Sequence, residues 1–228
     1  MEANAFSIER ATRAEHSPVV GKVTVSAPPV LVSNFFAKSV VTFRAQHPGI
    51  QLSLSGRANS VSLSRREADI AVRLFRPEEE GSVARRLGIM QFALYAAESY
   101  AHICRPSDWE FIAYDEEFDH TPQQQWLRKM AGNRLIVCEV SDITSQYAAA
   151  RAGVGIAVLP CFLAEPDGQL VRLHVDVEPF SREIWLVVHR DLRRAQPIRA
   201  VMDFITELVE KTPSLQTDIP LSRVDDPI

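Results

Sequence analysis

Two short polar turns, Ser26-Ala27-Pro28 and Ser141-Asp142-Ile143-Thr144, stand between an apolar run and a helix-forming run in this 228-residue chain. That placement can do chemistry. The first amides of a helix have no intrahelical partner and carry a partial positive charge, so they attract anions and hydrogen-bond acceptors. Capping is the competing role, because Ser, Thr and Asp oxygens satisfy the same amides, and the residues leave both roles open. Arg73 closes the apolar run Asp69-Ile-Ala-Val-Arg73. Its guanidinium either meets an anionic ligand or pairs with Glu78, Glu79 or Glu80 in the acidic loop that follows. The candidate binding residues are therefore Ser26, Ala27, Pro28, Arg73, Ser141 and Thr144, and the chemistry they suit is recognition.

Signals for catalysis, metal or cofactor are missing. The six histidines fall singly, never at metal-ligand spacing. G-x-S-x-G, P-loop and H-E-x-x-H patterns do not occur. Gly153-Val-Gly155 lies between a helix and the next strand, whereas phosphate-cradling glycines lie between strand and helix, so no nucleotide site is expected there. No catalytic residue, metal or cofactor is predicted, and the protein is not expected to be an enzyme.

A formal net charge of -4 argues against a surface for nucleic acid on this chain, since phosphate binding needs clustered Lys and Arg. The pairs Arg65-Arg66, Arg85-Arg86 and Arg193-Arg194 read as solvated surface. Three widely spaced cysteines, Cys104, Cys138 and Cys161, fit neither a disulfide framework nor a zinc site and point to a reducing compartment. Cys138 reads as a core residue, while Cys161, just after Pro160, reads as the more exposed. No apolar run approaches bilayer length and the N-terminus lacks a signal-peptide pattern, so a cytoplasmic protein without membrane contact is expected.

The elements that position the two turns are legible. Lys22 to Val25 alternates as a half-buried strand, Pro28 and Pro29 suit a first helical turn, and Leu31, Phe35, Phe36, Val40 and Phe43 form an amphipathic stripe. His47-Pro48-Gly49 stops that helix, and Ile50 to Ser55 alternates again. The second turn follows the strand-like Leu135 to Val140 and leads into helix formers over 146–152, a glycine stop at Gly153, and an apolar run ended by Pro160. Each is a strand-helix-strand unit. Between them, Val83 to Leu87 and Gln91 to Ala96 are strand-like, Trp109 to Tyr114 a strand and His120 to Lys129 a helix, with Trp126 continuing its core stripe. A short polar helix is expected around Val61 and Leu63. Leu170 to Leu173 and Ile184 to His189 read as strands, and Pro197 opens a last helix carrying Ile198, Val201, Met202, Ile205 and Leu208. Residues 1–16 suit a helix, and 213–228 read as a disordered tail.

Val23-Thr-Val-Ser26, Phe43-x-x-x-His-Pro-Gly-Ile-Gln-Leu52, Glu67-Ala-Asp-Ile-Ala-Val-Arg73, Arg86-Leu-Gly88 and Ala152-Gly-Val-Gly-Ile-Ala-Val-Leu-Pro160 together resemble the effector-binding domain of LysR-type transcriptional regulators, from about Gly21 to Lys211. The resemblance implies a two-lobed α/β, type II periplasmic-binding-protein-like fold, each lobe a mixed sheet flanked by helices. Residues 19–97 and 191–212 would form lobe I and 98–190 lobe II, with crossings after Tyr95 to Glu98 and Val188 to Asp191. Residues 1–18 would be the remnant of a linker helix. A small-molecule effector, expected to be anionic, would sit in the cleft between the lobes. The resemblance also implies a homodimer, a tetramer for the full-length protein, and DNA binding only through an N-terminal domain absent from this chain. The rival readings are a transporter's solute-binding protein and an enzyme on the same two-lobed fold.

Overall fold

The computed structural model describes residues 19–56, 68–77, 81–175 and 177–216. The expected helices over 1–16 and around Val61, and residues 217–228 of the expected tail, lie outside them. The described chain divides into two compact units. Unit 1 contains the residues up to Arg73, Pro77–Arg85 and Leu186–Glu207; unit 2 contains Leu74–Arg76, Arg86–Trp185 and the residues from Leu208 onward.

In unit 1, strand β1 (Gly21–Ala27) forms as its alternation predicts, with Val23 and Val25 fully buried. Pro28 and Pro29 then turn the chain into helix α1, which runs over 29–46 and is wound as a π-helix at Val32–Phe36. Leu31, Phe35, Phe36 and Phe43 are buried as their spacing requires, while Val40 stays partly exposed. Strand β2 (Ile50–Gly56) pairs parallel to β1 along its whole length, which completes the first strand-helix-strand unit. Strand β3 (Ile70–Arg73) pairs parallel to β1 on the other side, bringing Ala71 opposite Ser26. The ring of Phe43 lies 4.9 Å from that of Phe204, on the last helix, α5 (Gln196–Glu210), and closes the core of this unit.

Unit 2 is built on β4 (Ser82–Ala97) from Arg86 onward, β5 (Phe111–Tyr114), α2 (Pro122–Ala131), β6 (Ile136–Val140), α3 (Ile143–Arg151), β7 (Ala157–Pro160), α4 (Cys161–Ala164), β8 (Leu170–Leu173) and β9 (Phe180–His189) up to Trp185. Strands β7 and β8 both pair antiparallel to β4, and β5 pairs parallel to β6. The Ile112 amide donates to the Ile156 carbonyl at 2.8 Å, and the Ile156 amide to the Glu110 carbonyl at 2.9 Å. Strand β5 therefore lies between β6 and the segment entering β7, so the second strand-helix-strand unit steps over a strand rather than joining neighbours. Gly153, with φ of 81°, is the left-handed residue that ends α3.

Three sequence expectations are corrected. Residues 82–97 form one strand of 16 residues instead of two. Within that strand Gly88 is a packing site: a Cβ there would stand 2.2 Å from the Leu215 carbonyl oxygen. The expected tail begins as an ordered turn, Pro213–Leu215, because Leu215 is fully buried and the Gln216 side chain donates to the Val209 carbonyl at 3.1 Å. Cys161 is 1% exposed, since a helix rather than a loop follows Pro160. The division between the units falls within β4 at Arg85/Arg86 and within β9 at Trp185/Leu186.

Candidate functional site

At the carboxyl end of β1, Ser26 and Ala27 are fully buried and Pro28 is partly exposed. Arg73 closes over them. Its Nη1 donates to the Ser26 carbonyl at 3.2 Å, the Val72 carbonyl at 2.9 Å and, at a long 3.4 Å, the Ser26 hydroxyl. Parallel pairing of β1 with β3 makes this possible, because it places the last residue of β3 beside the last residues of β1. The buried guanidinium, 7% exposed, thus brings positive charge to the turn and holds its backbone. The helix end offers fewer donors than expected. Pro28 and Pro29 have no N–H, and the Leu31 and Val32 amides donate to the Pro28 carbonyl at 3.0 and 3.1 Å.

At the carboxyl end of β6, the cap is Asp142. Its Oδ1 accepts from the Thr144 amide at 2.8 Å and the Ser145 amide at 2.9 Å, and the Ser145 hydroxyl donates to its Oδ2 at 2.6 Å. The amides expected to face a ligand are therefore taken by a carboxylate of the chain itself. Ser141 and Thr144 are exposed and leave the capping to Asp142. The Ser145 hydroxyl first, then the two amides, hold the Asp142 carboxyl below its ordinary value of 3.8. Burial, followed by the Asp142 carboxylate, pushes the Tyr114 phenol up, which keeps Tyr114 a donor at neutral pH.

Sequence reasoning missed Gln124, fully buried on α2. Its Oε1 accepts from the Tyr114 amide at 3.0 Å, and its Nε2 donates to the Tyr114 carbonyl at 2.9 Å and to Asp119 Oδ1 at 3.2 Å. One amide side chain replaces a strand neighbour at the end of β5, a role no local pattern announces. Trp126 belongs to an aromatic stack rather than a closed core: its ring lies 6.0 Å from Phe180, and Phe180 lies 5.1 Å from Phe92. A pocket of about 90 Å³ adjoins this stack, lined by Phe92, Leu94, Trp126, Leu173 and Pro179 and also by Arg172 and His174. Among the described residues no cluster of His, Cys, Asp and Glu has the makings of a metal site, and no helix is long and apolar enough to cross a membrane.

A mixed α/β chain with two strand-to-helix turns and polar side chains at their mouths has the architecture of the type II periplasmic-binding-protein-like class. The family model for the LysR substrate binding domain matches residues 16–210, and the chain belongs to that family. It is 27% identical over 182 residues to the Mau operon transcriptional activator of Paracoccus denitrificans, covering 80% of this chain and 63% of that protein. The chain thus spans less than two thirds of that relative. Among solved structures, its fold matches the CrgA regulatory domain from Neisseria meningitidis with a TM-score of 0.68 at 22% identity, over 82% of this chain and 98% of that one. It also matches the effector domain of AmpR from Pseudomonas aeruginosa with a TM-score of 0.65 at 20% identity, over 82% and 95%.

Proposed function

We propose that this chain is the ligand-sensing and oligomerisation part of a LysR-type transcriptional regulator, which works in the cytoplasm and reads DNA through an N-terminal domain outside this sequence. The family match over residues 16–210 carries the reading. The effector is a small organic anion. Its candidate contacts are Ser26, Ala27, Pro28 and Arg73, where a guanidinium stands at a strand-to-helix turn, and Ser141 and Thr144, both exposed beside the Asp142 cap. Effector binding shifts the population between two states of the regulator, which requires different affinities for the two. The working form is a homodimer, assembling to a tetramer in the full-length protein, and the partly exposed Val40 and exposed Val41 on α1 give apolar surface for such contact.

The test combines two measurements. Sedimentation at micromolar concentration gives a dimer; monomer alone removes the oligomerisation role. A melting-temperature screen of small organic acids finds a stabilising ligand, and Ser26→Ala weakens that ligand about tenfold by loosening Arg73, the low end for a hydrogen bond to a charged group. Unchanged affinity in both Ser26→Ala and Ser141→Ala moves the site elsewhere.

A further inference from the structure

Arg182 sits on β9 within unit 2, half-buried. Its Nε donates to the Leu74 carbonyl at 3.0 Å, and among the described residues its two Nη groups have no partner. The neighbouring carboxylate is engaged elsewhere. Side chains alternate across a strand, so Glu183 points to the opposite face, where it pairs with Arg86 at 3.1 Å and accepts from the Trp185 indole at 3.0 Å. Phe180 shares the face of Arg182, about 7 Å away along the strand. Its ring is only partly covered even though it packs against Trp126 and Phe92. A half-buried guanidinium with its planar fork open, next to an aromatic surface, is an arrangement for a carboxylate carried on an apolar, flat body.

We propose that Arg182 is a specificity-determining residue that clamps the carboxylate of the effector through its two Nη groups, and that the effector is an aromatic carboxylate whose ring lies against Phe180. This rests on the reading of the chain as a ligand sensor and narrows its ligand from any small anion to one chemical class. Arg73 cannot serve in the same way, because its Nη1 already donates to three oxygens of the chain, whereas Arg182 is anchored at Nε and leaves both Nη groups for a bidentate contact. Partial burial lowers the pKa of Arg182, as desolvation of a cation does.

Benzoate is the probe and benzamide its neutral counterpart, titrated into the whole chain by calorimetry and by NMR of the arginine Nε–H signals. Benzoate binds, moves the Arg182 signal, and is preferred over benzamide at least about tenfold, as expected for hydrogen bonds to a charged group. Arg182→Gln loses that preference, and its melting temperature without probe stays the same or rises, because a desolvated charge has gone. A structural arginine would do the reverse, lowering the melting temperature and leaving the preference for the anion. Arg182→Lys keeps the charge but not the fork, and loses most of the benzoate affinity while remaining folded. Equal binding of benzoate and benzamide, or an Arg182 signal unmoved by bound benzoate, overturns the proposal. If benzoate fails while another small molecule binds in a Ser26-sensitive way, the effector class is wrong and the sensor reading stands. If no small molecule binds, the sensor reading falls with it.

Discussion

Asp142 is a charged cap whose contribution depends on pH. Its carboxyl is held below 3.8 in the folded protein, so on acidification the unfolded chain takes up this proton first. The stabilisation is therefore complete above about pH 5 and is lost as pH falls through the depressed folded-state value. Asp142→Ala removes the acceptor for two amides and a hydroxyl, and chemical denaturation at pH 7 should show a loss of about 0.5–2 kcal/mol. The same comparison near pH 2.5 should show a much smaller difference, and an equal difference at both pH values would contradict the account. That one of Ser141, Asp142 and Thr144 caps α3 was legible in the sequence; which one was not, because it depends on how the turn aims each side chain. Arg73 and Arg182 teach the same lesson. Both are arginines in strands, but the parallel pairing of β3 with β1 binds Arg73 into a turn, whereas Arg182, among the described residues, is anchored only at Nε.

At the scale of elements, local periodicity served well wherever a segment's partner was close in sequence. The stripe of α1, the pairing of β1 with β2 and the glycine stop at Gly153 all follow from spacing and conformational preference. Long-range packing was illegible. Gly88 stays within β4 because Leu215, far along the chain, packs its backbone against it, and the same contact keeps Pro213–Leu215 ordered. Two variants test this. Gly88→Ala places a methyl against the Leu215 carbonyl and should destabilise by about 1–3 kcal/mol, the usual penalty for overpacking. Leu215→Ala empties a buried site and should cost about 2–5 kcal/mol. In urea denaturation the double variant should lose less than the sum of the two, since emptying the Leu215 site lets the turn and its carbonyl move away from the added methyl. Strict additivity would mean that the turn and the strand are energetically independent.

For the whole molecule, family membership was legible because several short motifs occur in the right order, and the match over residues 16–210 supports that reading. The identity of the ligand was not legible. It depends on side chains such as Arg182 and Phe180, which lie outside the family-like segments and gain meaning only from their place on one strand face. The proposed sensor role requires that this chain bind a small molecule reversibly and leave it chemically unchanged. Native mass spectrometry of the protein, equilibrated with the small-molecule fraction of its own cells, reads both properties at once. One non-covalent adduct per protomer is expected, with the released molecule identical in mass to its form in the extract. Absence of any adduct, or a product accumulating in molar excess over the protein, would contradict it.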